Sequence, residues 1–175
     1  MPFSCPPVLG FAAFSGTGKT TLLAKLIPLL KAHALRIGVI KHSHHDFEID
    51  KPGKDSFELR KAGANPVLLV SQYRRAIVEE LSPTADVKLA DQLAALSGTQ
   101  LDLVLVEGFR DETFPKIELH RPALGKPLLY PHDPWIIAVA SDRPLPTPPD
   151  RPWLDLNDPK AIADFILHPF LSHSQ

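Results

Sequence analysis

The run Ala13-Phe14-Ser15-Gly16-Thr17-Gly18-Lys19-Thr20-Thr21 has the residue types and spacing of a phosphate-binding loop. A nucleotide phosphate chain carries several negative charges. A glycine-rich turn can aim successive backbone N–H groups at it, while the next helix adds the positive end of its dipole. Gly16 and Gly18 permit the turn, Lys19 reaches the β- and γ-phosphates as a point charge, and the Thr20 hydroxyl ligates Mg²⁺ in place of one water. Ser15, Gly16, Thr17, Gly18, Lys19, Thr20 and Thr21 are therefore the candidate nucleotide contacts. The usual pattern opens with Gly where this chain has Ala13, so the first turn must tolerate a Cβ. An ordinary strand-to-helix turn would not require Lys-Thr at this position.

Carboxylates at strand ends are the next chemical candidates. Glu107 follows the apolar run Leu101 to Val106, and Asp46 follows Lys41-His42-Ser43-His44-His45. Either can orient the Mg²⁺ shell beside Thr20, often through water. The alternatives are a solvated strand cap for Glu107 and a loop acid for Asp46. Asp102 stands at the wrong end of its strand for this work. His42, His44 and His45 invite a zinc or nickel reading. Adjacent histidines point apart, however, and no cysteine lies nearby to complete a tetrahedral set, so contacts to phosphate or solvent are favoured. Lys51-Pro52-Gly53-Lys54-Asp55 is a polar turn opening a helix, and Lys51, Lys54 and Arg60 either meet an anion or stay solvated.

These groups need a scaffold. Val8 to Ala12, Arg36 to Lys41, Leu101 to Val106 and Trp135 to Ala140 are continuous apolar runs, the pattern of strands buried on both faces. Leu22, Leu23, Leu26, Ile27 and Leu30 form one helical stripe behind the loop, interrupted by Pro28, where a kink is expected. Further amphipathic helices are expected at residues 55–62, 87–96 and 159–167. The alternation predicts an α/β domain of the P-loop NTPase type: a mainly parallel sheet with helices on both faces and ligands at the strand carboxyl ends. Residues 66–71 and 75–80 read as an antiparallel hairpin added to that sheet, and residues 116–120 as another edge strand. The proline-rich run 144–152 reads as an extended surface connection to a last helix.

Composition sets limits. The 175 residues suit a single domain spanning 1–175, and a net charge of −1 gives no global field for nucleic acid. One cysteine, Cys5, rules out an internal disulfide and suits a reducing compartment. The N-terminus lacks a basic region, and no apolar run is long enough to span a membrane, so a cytoplasmic protein is expected.

Taken together, the phosphate loop, Ile40-Lys41-His42-Ser43-His44-His45-Asp46, Asp50-Lys51-Pro52-Gly53-Lys54-Asp55-Ser56 and Leu105-Val106-Glu107-Gly108-Phe109 resemble the MobB family of molybdopterin-guanine dinucleotide biosynthesis adaptors. The His-rich stretch followed by the Lys-Pro-Gly-Lys-Asp turn is the more specific part, and the family shares Ala at the first loop position. The resemblance implies a GTP-binding, Mg²⁺-using homodimer that assists the guanylyltransferase MobA in joining GMP to molybdenum-loaded molybdopterin, with weak GTPase activity of its own. Lys41, Lys51, Lys54 and Arg60 would then help hold the anionic pterin. Guanine offers N1–H and N2–H₂ donors, which a carboxylate can accept; Asp142, after the last apolar strand, either reads the base or serves the turn before Arg143-Pro144. A stand-alone P-loop kinase or transferase acting on a small anion is the alternative, with Arg74, Arg75 and Arg110 as its plausible lid arginines.

Overall fold

The computed structural model describes residues 6–43, 46–82 and 86–172; Cys5, His44 and His45 lie outside them. In chain order the elements are β1 (Val8–Ala12), α1 (Lys19–Lys31), β2 (Ile37–Lys41), α2 (Asp55–Lys61), β3 (Val67–Val70) and β4 (Arg75–Val78). They continue with α3 (Leu89–Ala95), β5 (Leu103–Glu107), β6 (Lys116–His120), β7 (Ile136–Ser141), β8 (Trp153–Asp155) and α4 (Pro159–Phe165), which runs on into a π turn. The chain divides into two compact units, Met1–His42 with Lys88–Gln175 and, separately, Ser43–Val87. No helix among the described residues is long and apolar enough to cross a membrane.

The larger unit is a six-stranded parallel sheet in the order β2-β5-β1-β6-β7-β8. Strand alternation splits β1 between two faces. Leu9 and Phe11 join Leu22, Leu26 and Leu30 of α1 and Ile162 of α4 in one apolar core. On the other face a Cβ at Gly38 would lie 3.6 Å from Leu96 at the end of α3, and one at Gly10 would sit 2.5 Å from Phe114. Helices thus cover both faces, while over β1 the second face is covered by the crossover from β5 to β6. The smaller unit holds α2 and the β3–β4 hairpin, registered Val67↔Val78 to Val70↔Arg75. The hairpin is a two-stranded sheet of its own rather than an extension of the parallel one.

Two further expectations need correction. Residues 116–120 are an interior strand between β1 and β7, with all five residues buried, not an edge. Lys116, Glu118 and His120 make one side of β6 look wet, but neighbouring backbone satisfies two of them. Lys116 Nζ donates to Arg110 O at 2.8 Å and Glu112 O at 2.7 Å and pairs with Asp133 at 2.8 Å. The Glu118 carboxylate accepts the N–H groups of Leu129 and Tyr130, each at 2.8 Å. Lys116 therefore ties both covering segments to the sheet, and Glu118 pins the one before β7 a second time.

The run 36–41, expected to be buried on both faces, is instead the edge strand β2, with Val39 45% exposed. Its start is clamped to that of β5 by Arg36, whose guanidinium hydrogen-bonds Asp102 and holds its carboxyl down at about 2. The proline-rich run does travel mostly over the surface, but Leu145 anchors it beside Ala12, Ile136 and Val139. It delivers a short strand, β8, that pairs in parallel with β7 before α4 begins.

Candidate functional site

β1 ends at Ala12 and α1 starts at Lys19, so the phosphate loop bridges the carboxyl end of an interior strand and a helix N-terminus. Gly16 and Gly18 take φ of 81° and 101°, a region open to glycine and strained for other residues. Thr17 is buried, and its hydroxyl donates to Phe14 O at 2.8 Å, closing the turn from inside. Lys19 Nζ donates to Ala13 O at 3.0 Å and Phe14 O at 3.3 Å. Burial holds the Lys19 ammonium below the ordinary lysine range; Lys41 and Arg110 push the same way and Glu107 opposes them. Ser15, Thr20 and Thr21 are exposed at the loop mouth.

Glu107, the last residue of β5, points at the same mouth. Thr20 Oγ1 donates to its carboxylate at 3.2 and 3.3 Å, and Lys41 Nζ lies 3.6 Å from Oε2. The next two residues fix that placement. Gly108 has φ 110° and a Cβ there would meet His42 Cβ at 2.6 Å, while Phe109, at φ 50°, stacks on the His42 ring at 4.5 Å. His42 thus packs as an aromatic partner at the end of β2.

Arg121, one residue beyond β6, was not singled out by sequence reasoning. Its Nε donates to Thr17 O at 2.9 Å and its Nη1 pairs with Asp142 Oδ2 at 2.7 Å, joining the phosphate loop to the end of β7. Asp142 Oδ1 is buried and makes no hydrogen bond among the described residues. Arg121 also walls a hollow of about 420 Å³ with Gly16, Thr17, Gly18, Lys25 and Asn157. The one available signal was its position: it follows a strand whose carboxyl end adjoins the loop, and that strand was read as an edge.

The profile of molybdopterin guanine dinucleotide synthesis protein B, MobB, matches residues 8–142, a span that contains the loop, Glu107, Arg121 and Asp142. The chain belongs to the MobB family. It is 49% identical over 162 residues to the molybdopterin-guanine dinucleotide biosynthesis adapter protein of Escherichia coli strain K12, covering 92% of this chain and 91% of that one. The adapter protein of the same description from Haemophilus influenzae is 48% identical over 169 residues, covering 94% and 91%. A crystal structure of molybdopterin-guanine biosynthesis protein B superposes with a TM-score of 0.69 at 26% identity, over 91% of this chain and 97% of that one. The chain is thus an adapter protein of molybdopterin guanine dinucleotide biosynthesis, as MobB family members are.

The remaining candidates of this MobB chain belong to the smaller unit. Asp46, Lys51 and Lys54 are exposed in the smaller unit, where Lys54 N donates to Lys51 O at 3.2 Å in the turn that opens α2. Arg60 is held by Asp50 at 2.7 Å and by Glu80, and its guanidinium lies over the Phe57 ring. These carboxylates raise the Arg60 pKa, and Arg60 in turn holds Asp50 below its usual range. Its charge is therefore already matched within the unit.

Proposed function

We propose that this chain binds GTP with Mg²⁺ at the phosphate loop and serves in the cytoplasm as an adapter for the guanylyltransferase MobA, presenting nucleotide while GMP is joined to the molybdopterin cofactor. The observation that carries this reading is the convergence of Lys19, Thr20 Oγ1 and the Glu107 carboxylate at the mouth of the loop. Those residues fit a Mg²⁺–triphosphate. The hydroxyl and carboxylate are hard oxygen donors at hydrogen-bond distance, and Mg²⁺ usually takes one or two protein oxygens and completes its octahedron with water and phosphate. Lys19 and Lys41 supply positive charge, and Gly16 and Gly18 leave backbone N–H groups for the phosphates, while Thr17 N donates to Phe14 O at 3.4 Å. Ser15 and Thr21 border the same mouth, while Asp46, the other carboxylate candidate for the metal, belongs to the smaller unit.

The base is assigned to the hollow walled by Arg121 and Asn157, and Asp142, which does not line that hollow but pairs with Arg121 at its wall, is the candidate carboxylate for a guanine donor. Lys41 in the larger unit and Lys51 and Lys54 in the smaller are separate candidates for contact with an anion such as the pterin's phosphate, whereas Arg60 is paired within its own unit. Two copies associate through the smaller unit, whose hairpin leaves Leu68, Val70, Tyr73 and Ile77 exposed. Alone, the protein turns over GTP slowly.

The test is reconstitution with MobA, GTP, Mg²⁺ and molybdenum-loaded molybdopterin. The protein should raise the yield or rate of dinucleotide formation. Failure to stimulate MobA under any nucleotide condition, or rapid phosphoryl transfer to a small acceptor by the protein alone, would replace this reading with a kinase.

A further inference from the structure

A second hollow, of about 580 Å³, meets the phosphate loop at Phe14 rather than at Gly16 to Gly18. It lies between the two segments that cover the β6 side of the sheet. The β5–β6 crossover supplies Arg110 and Thr113, the stretch before β7 supplies Leu129, His132 and Trp135, and Phe14 borders both. Its size falls in the ~300–1,000 Å³ range of small-molecule sites.

The walls are built rather than draped. Lys116 is almost fully buried and holds Arg110 O, Glu112 O and the Asp133 carboxylate, tying the two walls together from below. Glu118 fixes Leu129 and Tyr130 from the same strand. Two of the hollow's acids are thereby engaged: Asp133 with Lys116, and Glu112, whose carboxylate accepts Leu89 N–H at 2.9 Å. Asp111 is 92% exposed and meets Arg110 only at 3.5 Å. Around the Phe14 ring stand cations, with the Arg110 guanidinium and the Lys126 ammonium each 5.9 Å from its centre. Trp135 is 44% exposed, a large aromatic surface left open at the rim.

Aromatic surface at Phe14 and Trp135, with a guanidinium and an ammonium beside it, selects a flat π-system that carries negative charge. We propose that this hollow is a second ligand site, taking a planar fused heteroaromatic ring with a phosphate or carboxylate substituent, the ring against Phe14 and Trp135 and the acid toward Arg110. The proposal rests on the nucleotide reading only in that the two ligands would then share the phosphate loop as a common wall. That arrangement suits a transfer between them on a partner enzyme.

The chain has two tryptophans, so Trp153→Phe leaves Trp135 as the sole indole. Titrating this variant with pterin-6-carboxylate should quench Trp135 saturably, whereas unsubstituted pterin should bind at least tenfold more weakly. By calorimetry on the full chain, Arg110→Ala and Trp135→Leu should each weaken the probe about tenfold or more, and Trp135→Leu should keep the parent GTP affinity within twofold. No saturable quench in protein that binds GTP normally would overturn the second site and leave the nucleotide site standing. Displacement of the probe by GTP, or probe binding untouched by both substitutions, would place it elsewhere and equally overturn the proposal. Normal probe binding without GTP binding would support the second site and sink the nucleotide reading.

Discussion

Arg121 Nη1 lies 2.7 Å from Asp142 Oδ2 while Nε of the same guanidinium holds Thr17 O at 2.9 Å, so one side chain spans the phosphate loop and the carboxylate at the end of β7. A planar fork is suited to this because its donors are fixed relative to one another. Setting the loop's shape therefore also sets where Asp142 stands. Arg121→Ala should lower GTP affinity by about tenfold, the worth of a charge-assisted hydrogen bond of roughly 1.5–3 kcal/mol. It should also narrow the preference for GTP over ATP. Calorimetry with both nucleotides checks this, and an unchanged preference in Arg121→Ala and in Asp142→Asn would assign base reading to another group.

At the metal end, Thr20→Ala removes the hydroxyl that meets Glu107. GTP binding in Mg²⁺ should fall well below the parent value, while binding in EDTA changes little. Lys19→Ala should abolish measurable triphosphate binding yet keep the fold, because its ammonium contacts loop carbonyls rather than the core. Equal losses of Thr20→Ala with and without Mg²⁺ would remove Thr20 from the metal shell.

The phosphate loop, the parallel sheet, the hairpin and the position of Glu107 at a strand end were legible because each rests on local pattern: glycine spacing, apolar runs, a turn. What was not legible depends on folded-back partners that no local pattern marks. Lys116 and Glu118 give β6 the alternation of a half-exposed strand, and only backbone groups at 110, 112, 129 and 130 convert it into an interior one. Arg121 went unnoticed for the same reason. β2 failed in the opposite sense, since a continuous apolar run carries no mark of having a neighbour on one side only. β8 was hidden by its prolines, which break pattern without forbidding the three residues after them from pairing.

Lys116→Met keeps the stem of the side chain and deletes its ammonium. Asp133 then loses its cation, and Arg110 O and Glu112 O lose their donor. Breaking one side of a buried pair costs about 3–5 kcal/mol; with Asp133 21% exposed, the lower end, about 3 kcal/mol, is expected. Urea denaturation should show a lower midpoint at unchanged slope. A change below ~0.5 kcal/mol would mean that the covering segments hold without this pin.

The hairpin's exposed Val70 and Ile77 give the association prediction a target. Ile77→Glu should convert a dimer to a monomer in sedimentation equilibrium and leave GTP affinity within twofold, since the residue lies in the smaller unit. A parent protein that is monomeric at tens of micromolar would remove the hairpin from any dimer interface.

His120 closes β6 beside these charges and is 9% exposed. Desolvation lowers its pKa from the ordinary 6.5, with the negative Asp142 acting in the opposite direction. Between the folded-state value and 6.5 the unfolded chain binds the proton and the folded chain does not, so stability rises with pH in that window. Acidifying from pH 7.5 should therefore cost stability as pH falls through 6.5, with no further loss from this group once pH is below the folded-state value. Glu118 acts with the opposite sign at lower pH: desolvation raises it above 4.5, so the folded chain holds the extra proton just above that value. His120→Gln should flatten the slope around pH 6 and leave the Glu118 contribution in place. The measurement is the urea midpoint at half-unit pH steps for parent and variant. Superimposable profiles between pH 5.5 and 7.5 would show that His120 takes up its proton in the folded chain as readily as in the unfolded one.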